Sequence, residues 1–163
     1  MKRLLISLLF LALSVPAFCQ ADTTPPYLKT KLRPSFNMLS TDSVVFNQSV
    51  LKGNLPTVIM LFNPECGHCQ EQLKTFLSIP GFAGKVQLLL SSTETLAKIK
   101  LFSEKFQLEK YPNILIGKDH KYFFGGFYQP KTIPVLAVYD SNNKLVFFNQ
   151  GNVSRKQLQK LLH

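Results

Sequence analysis

The sequence is short of cysteine and of acidic side chains, and it has no tryptophan: three Cys and nine Asp and Glu stand in 163 residues. Against those nine acids are 19 lysines and arginines, a formal net charge of +10. The positive residues are scattered, as in Lys98, Lys105, Lys118 and Lys131, with one small cluster at Arg155, Lys156 and Lys160. No arginine-rich run and no alternation of basic with aromatic residues occurs, which excludes a nucleic-acid reader. Solvated faces account for the charge, with mild attraction to acidic partners or anionic surfaces. No internal repeat and no low-complexity tract is present, which excludes a solenoid. The length suits one domain with its own hydrophobic core and hardly two. No apolar run is long enough for a comfortable transmembrane span.

The longest apolar run, Leu4 to Val15, follows Met1-Lys2-Arg3 and precedes Pro16-Ala17-Phe18-Cys19. A positive start, an apolar centre and small residues at the −3 and −1 positions are the layout of a secretory signal peptide over 1–19. Cleavage is expected before Gln20, with Asp22 as a second site. An uncleaved anchor is one alternative and a lipidated Cys19 another, the latter disfavoured by the bulky Phe18. An exported, periplasmic or otherwise extracytoplasmic protein follows. It keeps only Cys66 and Cys69, in a compartment where disulfides persist.

Residues 20–34, marked by Thr23-Thr24-Pro25-Pro26 and Pro34, read as a linker, and one domain runs over 35–163. Ser35 to Leu39 and Ser43 to Phe46 flank Thr41-Asp42 as a hairpin. Pro56 to Phe62 is nearly continuous in apolar residues, as a strand buried on both faces should be. Leu73, Phe76 and Leu77 then recur at helical spacing, so Cys66 falls where a strand ends and a helix begins. Val86 to Leu90 is a second buried strand. Ser91 to Glu94 predicts a capping box for a helix carrying Leu96, Ile99, Phe102 and Phe106. Strands over Asn113 to Ile116, Ile133 to Tyr139 and Leu145 to Phe148 follow, the last two joined by turn chemistry at 140–144. Ser154 and Gln157 cap a final helix. Such an order demands a mixed central sheet with helices on both faces, an α/β architecture. Tyr122 to Tyr128 is either a docking surface for polypeptides or core packing, and the second is favoured.

The stretch FNPECGHCQ holds the two thiols, three positions apart around Gly67 and His68. Three uses compete: a reversible redox couple, half of a metal site, and a structural staple. A closed zinc site wants four ligands, and the spacing recruits neither His120 nor His163. A four-residue loop contributes only about 2 kcal/mol as a staple, against about 3 for fifteen residues. Placement on a strand-to-helix junction favours the redox couple.

Cys66-Gly67-His68-Cys69 at a helix start, with Thr132-Ile133-Pro134 before a later strand, resembles the thioredoxin superfamily. The longer frame is similar to the exported TlpA/ResA-type thiol-disulfide oxidoreductases, with a quartet like that of protein disulfide isomerase. The resemblance runs from about residue 35 to the end. It implies a thioredoxin-like α/β fold with a central mixed sheet flanked by helices and an N-terminal hairpin. It also implies an enzyme that needs no cofactor or metal. Cys66 would attack as a thiolate favoured by the helix N-terminus, Cys69 would resolve, and His68 would tune the couple toward oxidation. Pro134 would follow a cis peptide, and Ile133 and Gly67 would meet the bound partner. The implied partners are exported proteins bearing thiols or disulfides, and a membrane electron donor or acceptor. A monomer is expected. The alternative is a non-enzymatic binding module of the same fold with its cysteines locked. Two departures stand out: Met60 occupies the place of a buried carboxylate six residues before the first cysteine, and Glu65 replaces the usual aromatic. Glu65 should oppose a thiolate at Cys66.

Overall fold

Along the run from Thr57 to Leu61 every side chain is buried, so neither face of that strand meets water. Alternate residues serve two separate cores. Val58 and Met60 pack into one, with Leu73, Phe76 and Phe102, while Ile59 and Leu61 pack into the other, with Tyr27, Phe124 and Tyr128. Each large apolar side chain buried in this way contributes about 1.5–3 kcal/mol.

The computed structural model describes residues 22–162, and the segment 1–19 read as a signal peptide lies outside them. The strands are β1 (Asn37–Leu39), β2 (Val45–Asn47), β3 (Thr57–Leu61), β4 (Gln87–Ser92), β5 (Ile114–Lys118), β6 (Val135–Tyr139) and β7 (Leu145–Gln150). They form one mixed sheet in the order β2-β1-β5-β4-β3-β6-β7. β3 runs parallel to β4 and β4 to β5, whereas β6 lies antiparallel to both β3 and β7. β1 and β2 pair antiparallel, Met38 opposite Phe46. β1 then reaches β5 at a single register point, Leu39 opposite Lys118. That approach needs Gly117: a Cβ there would lie 2.5 Å from the Leu39 carbonyl oxygen and 2.8 Å from the Phe46 ring.

The helices are α1 (Pro26–Thr30), α2 (Gly67–Leu77), α3 (Phe82–Lys85), α4 (Leu96–Lys105), α5 (Phe123–Tyr128) and α6 (Arg155–Leu161). Buried residues of α2, α4 and α6 share the first core, and those of α1 and α5 the second. Helices therefore cover both faces of the sheet. Among the described residues no helix is long and apolar enough to cross a membrane.

Two details differ from the sequence reading, and a third, the aromatic stretch, packs into the core as favoured there. Within the stretch read as a linker, Pro26 starts α1, where its missing N–H costs nothing. Tyr27 is buried and stacks on Phe148 at 4.2 Å. The chain after α1 is strapped to the β6–β7 turn by Arg33, whose N–H and Nε donate to the Asn143 carbonyl and Oδ1, both at 2.8 Å. Ser91 and Ser92 do not cap α4. They are still in the β4 ladder, opposite Gly117 and Lys118, and the cap is Thr95, whose Oγ1 accepts the Lys98 N–H at 3.4 Å. The aromatic stretch at 122–128 contains α5. Its Phe124 and Tyr128, four apart, are buried, and both carboxylate oxygens of the buried Asp119 accept the N–H groups of Phe123 and Phe124. Tyr122 stays 66% exposed.

Candidate active site

The site is built by the turn between β3 and α2. After Phe62, whose N–H still donates to the Ser91 carbonyl at 3.0 Å, Asn63 reverses the chain. Its Oδ1 accepts the Glu65 N–H at 2.8 Å and its carbonyl accepts the Cys66 N–H at 3.1 Å. An asparagine that bonds two residues ahead is a turn former by chemistry, and Pro64 stiffens the next step. The turn delivers Cys66 as the N-cap of α2, with an extended φ/ψ of −78° and 115°.

At that place the Cys66 sulfur accepts the main-chain N–H of Cys69 at 3.3 Å, the bond an N-cap side chain makes to N3. Cys66 is part-exposed and Cys69, one turn deeper, is fully buried; both are free thiols. Burial pushes the Cys69 thiol up from 9.0 to about 12, the contact with Cys66 adds to the rise, and the main-chain N–H of Asn63 works against it. α2 is clamped from its other side by the buried Gln72. That amide accepts the Val153 N–H at 2.6 Å and donates to the Val153 carbonyl at 3.4 Å.

The Ile133–Pro134 peptide is cis, and the Pro134 carbonyl accepts the Gly151 N–H at 2.7 Å. Ile133 and Cys66 pack against the same core cluster that contains Cys69. The two cysteines follow the end of β3 and the Ile133–Pro134 segment precedes the start of β6, where Leu61 pairs with Val135, so they converge at one end of these central strands. Ile133 also lines a cavity of 190 Å³ with Phe62, Asn63, Glu94, Phe124 and Pro130.

No family model matches the chain, and no curated protein is similar to it in sequence. Solved structures share its fold. A secreted Mycobacterium tuberculosis disulfide oxidoreductase homologous to E. coli DsbE is 17% identical, with a TM-score of 0.64 over 78% of this chain and 93% of that one. StoA from Bacillus subtilis is 16% identical, with a TM-score of 0.62 over 80% and 97%. The exposed lipoprotein thioredoxin Etrx1 from Streptococcus pneumoniae is 21% identical, with a TM-score of 0.60 over 78% and 98%. The fold is thioredoxin-like.

In this thioredoxin-like frame the other sequence candidates take clear places. Gly67 and His68 are exposed in the first turn of α2, and among the described residues His68 makes no hydrogen bond to either sulfur. Glu65 turns away from Cys66 to Lys98, Oε2 to Nζ 2.8 Å. Its side chain is 68% exposed, so solvent screens the pair and it adds little to stability, but it sets a cation against the carboxylate beside Cys66. Met60 is fully buried in the cluster that holds Cys69. Among the described residues no three His, Cys, Asp or Glu side chains gather as a metal-binding set.

Two residues the sequence did not assign to the site belong here, Asn63 and Glu94. Asn63 Nδ2 donates to Glu94 Oε1 at 2.8 Å, tying this turn to the loop before α4. The Asn-Pro pair at a strand end is a turn signal that could have marked Asn63; Glu94 was marked only as part of a capping box, and nothing in the spacing tied it to this turn.

The raised Cys69 thiol has a consequence for stability. A group whose folded pKa lies above its unfolded one stabilises below the unfolded value and loses that contribution as pH rises through the folded one. For Cys69 the window is pH 9 to about 12. Tyr128 and Tyr139, joined hydroxyl to hydroxyl at 2.7 Å, are also raised by burial. Comparing reduced with oxidised protein cancels them, because only the reduced form carries the thiol. Urea unfolding at pH 8 and pH 10 should show the reduced form losing about 1 kcal/mol more than the oxidised form. Equal losses would contradict a buried, titrating Cys69.

Proposed function

We propose that the chain is an exported thiol-disulfide oxidoreductase. In reduction, the Cys66 thiolate attacks one sulfur of a partner disulfide, forming a mixed disulfide and expelling the other partner sulfur as a thiolate. Cys69 then gives up its proton and attacks the Cys66 sulfur. The Cys66–Cys69 disulfide closes, the partner leaves with its second thiol, and two electrons have passed to it. Run in reverse, the same steps oxidise a partner dithiol. The observation that carries this reading is the position of Cys66: an exposed-side sulfur at a helix N-cap, met by a main-chain donor, with a buried second thiol one turn below.

Gly67 and the Ile133–Pro134 segment are the surfaces against which a partner strand lies, and Pro134 shapes that groove. His68, on the exposed rim, tunes the couple. The partners are exported proteins bearing thiols or disulfides and a membrane electron donor or acceptor, and the protein works as a monomer. Support for export comes from the 1–19 segment and from neighbours of the same fold that are themselves described as secreted or exposed. The test is trapping. Cys69→Ser protein incubated with a disulfide-bonded peptide should accumulate a covalent adduct at Cys66 that a reductant releases. No adduct would leave a thioredoxin-like binding module in place of the enzyme.

A further inference from the structure

Three hydrogen bonds run through the Asn63 side chain and carbonyl, and two of them hold the turn: its carbonyl accepts the Cys66 N–H and its Oδ1 accepts the Glu65 N–H. The third leaves the turn. Nδ2 donates to Glu94, 31 residues away in the chain. The two ends of an asparagine amide have nearly the same shape but opposite hydrogen-bonding roles, whereas an ionised carboxylate only accepts. A carboxylate at 94 therefore forces Nδ2 outward and leaves Oδ1 facing the Glu65 N–H. That orientation holds the turn from which Cys66 enters the helix. Glu94 is itself fixed, its N–H donating to Ser92 Oγ at 3.3 Å and its Oε2 lying 3.5 Å from Lys98 Nζ.

We infer that Glu94, acting through the Asn63 amide, is a positioning residue that sets the balance between the dithiol and disulfide states of Cys66 and Cys69; this rests on the redox reading of the site. The direction follows from the acceptors. A thiolate draws strongly on aligned N–H donors, and a disulfide sulfur draws weakly. Loosening the turn therefore costs the reduced state more than the oxidised state. A reduced state that is harder to reach means a more negative potential.

A double-mutant cycle tests this on the whole protein, equilibrated with glutathione. Glu94→Ala and Asn63→Ala should each shift the equilibrium constant about tenfold toward the disulfide, about 30 mV for a two-electron couple. The double variant should shift no further than Asn63→Ala alone, because both act through one amide. Lys98→Ala, which removes the other partner of Glu94, should shift it by less than about twofold, the scale of an exposed ion pair. Additive shifts, an unmoved Glu94→Ala, or a Lys98→Ala that reproduces its shift would each overturn the inference. Amide hydrogen exchange at Cys66, whose N–H is held by Asn63, supplies a readout that needs no disulfide chemistry. Exchange there should quicken about tenfold in Glu94→Ala, the loss of ~1.4 kcal/mol of protection. A wild-type couple that never equilibrates with glutathione would sink the enzyme reading, and the exchange rate at Cys66 would still decide the role of Glu94.

Discussion

Cys66→Ser protein is expected to show no disulfide exchange above the rate of the buffer alone. Cys69→Ser protein should complete the first step and stop there. The asymmetry comes from exposure. Cys66 is part-exposed at the N-cap while Cys69 is sealed in the core with Leu73 and Phe76, so a partner disulfide reaches one sulfur only. Burial also holds Cys69 as a thiol, with its pKa raised to about 12, which keeps it from competing for the partner. Insulin turbidity or a fluorescent glutathione disulfide reports both variants. Equal residual activity in the two would mean that the sulfurs are interchangeable, and the assignment of attacking and resolving roles would fall.

The second large effect is expected at Met60. This side chain is fully buried between Leu90 and Leu136 on the neighbouring strands and shares a cluster with Cys69. It stands where enzymes of the resembled family hold a buried carboxylate. Met60→Asp would place a carboxyl in that apolar cluster, and an uncompensated buried charge costs about 3–5 kcal/mol. Burial raises such a carboxyl above its ordinary value near 3.9. The variant should thus come closest to wild-type stability below about pH 4 and lose stability as pH rises through the raised value. Urea midpoints at pH 4 and pH 7 would show the variant falling behind over that interval. Ring closure by Cys69 should quicken at the same time, since a proton acceptor now lies in its cluster. A variant as stable as wild type at pH 7 would mean that the site is wetter than the packing indicates.

How much of this was legible beforehand depended on whether the signal was periodic. β3 was readable because a strand buried on both faces must be apolar at consecutive positions, and Thr57 to Leu61 are. α2 was readable from Leu73, Phe76 and Leu77, and Cys66 fell on the junction between them. α5 was not. It spans six residues with two glycines and is held by Asp119 and by the burial of Phe124 and Tyr128, none of which repeats along the chain. α1 was hidden because proline marks a helix start as readily as a linker. Ser91-Ser92-Thr93-Glu94 had the spacing of a capping box, but pairing with β5 kept Ser91 and Ser92 in the sheet and moved the cap to Thr95. At the site, the cysteines were legible from spacing, and Asn63 with Glu94 was not, since their hydrogen bond joins two loops that only the fold brings together.

The central claim is that Cys66 and Cys69 form a reversible couple, and its equilibrium reduction potential against glutathione tests that most directly. A helix-capped, part-exposed sulfur above a buried thiol predicts a value between about −270 and −120 mV, the span of thioredoxin-fold oxidoreductases. A disulfide that resists the glutathione pool, with a potential below about −300 mV as structural disulfides have, would contradict the account.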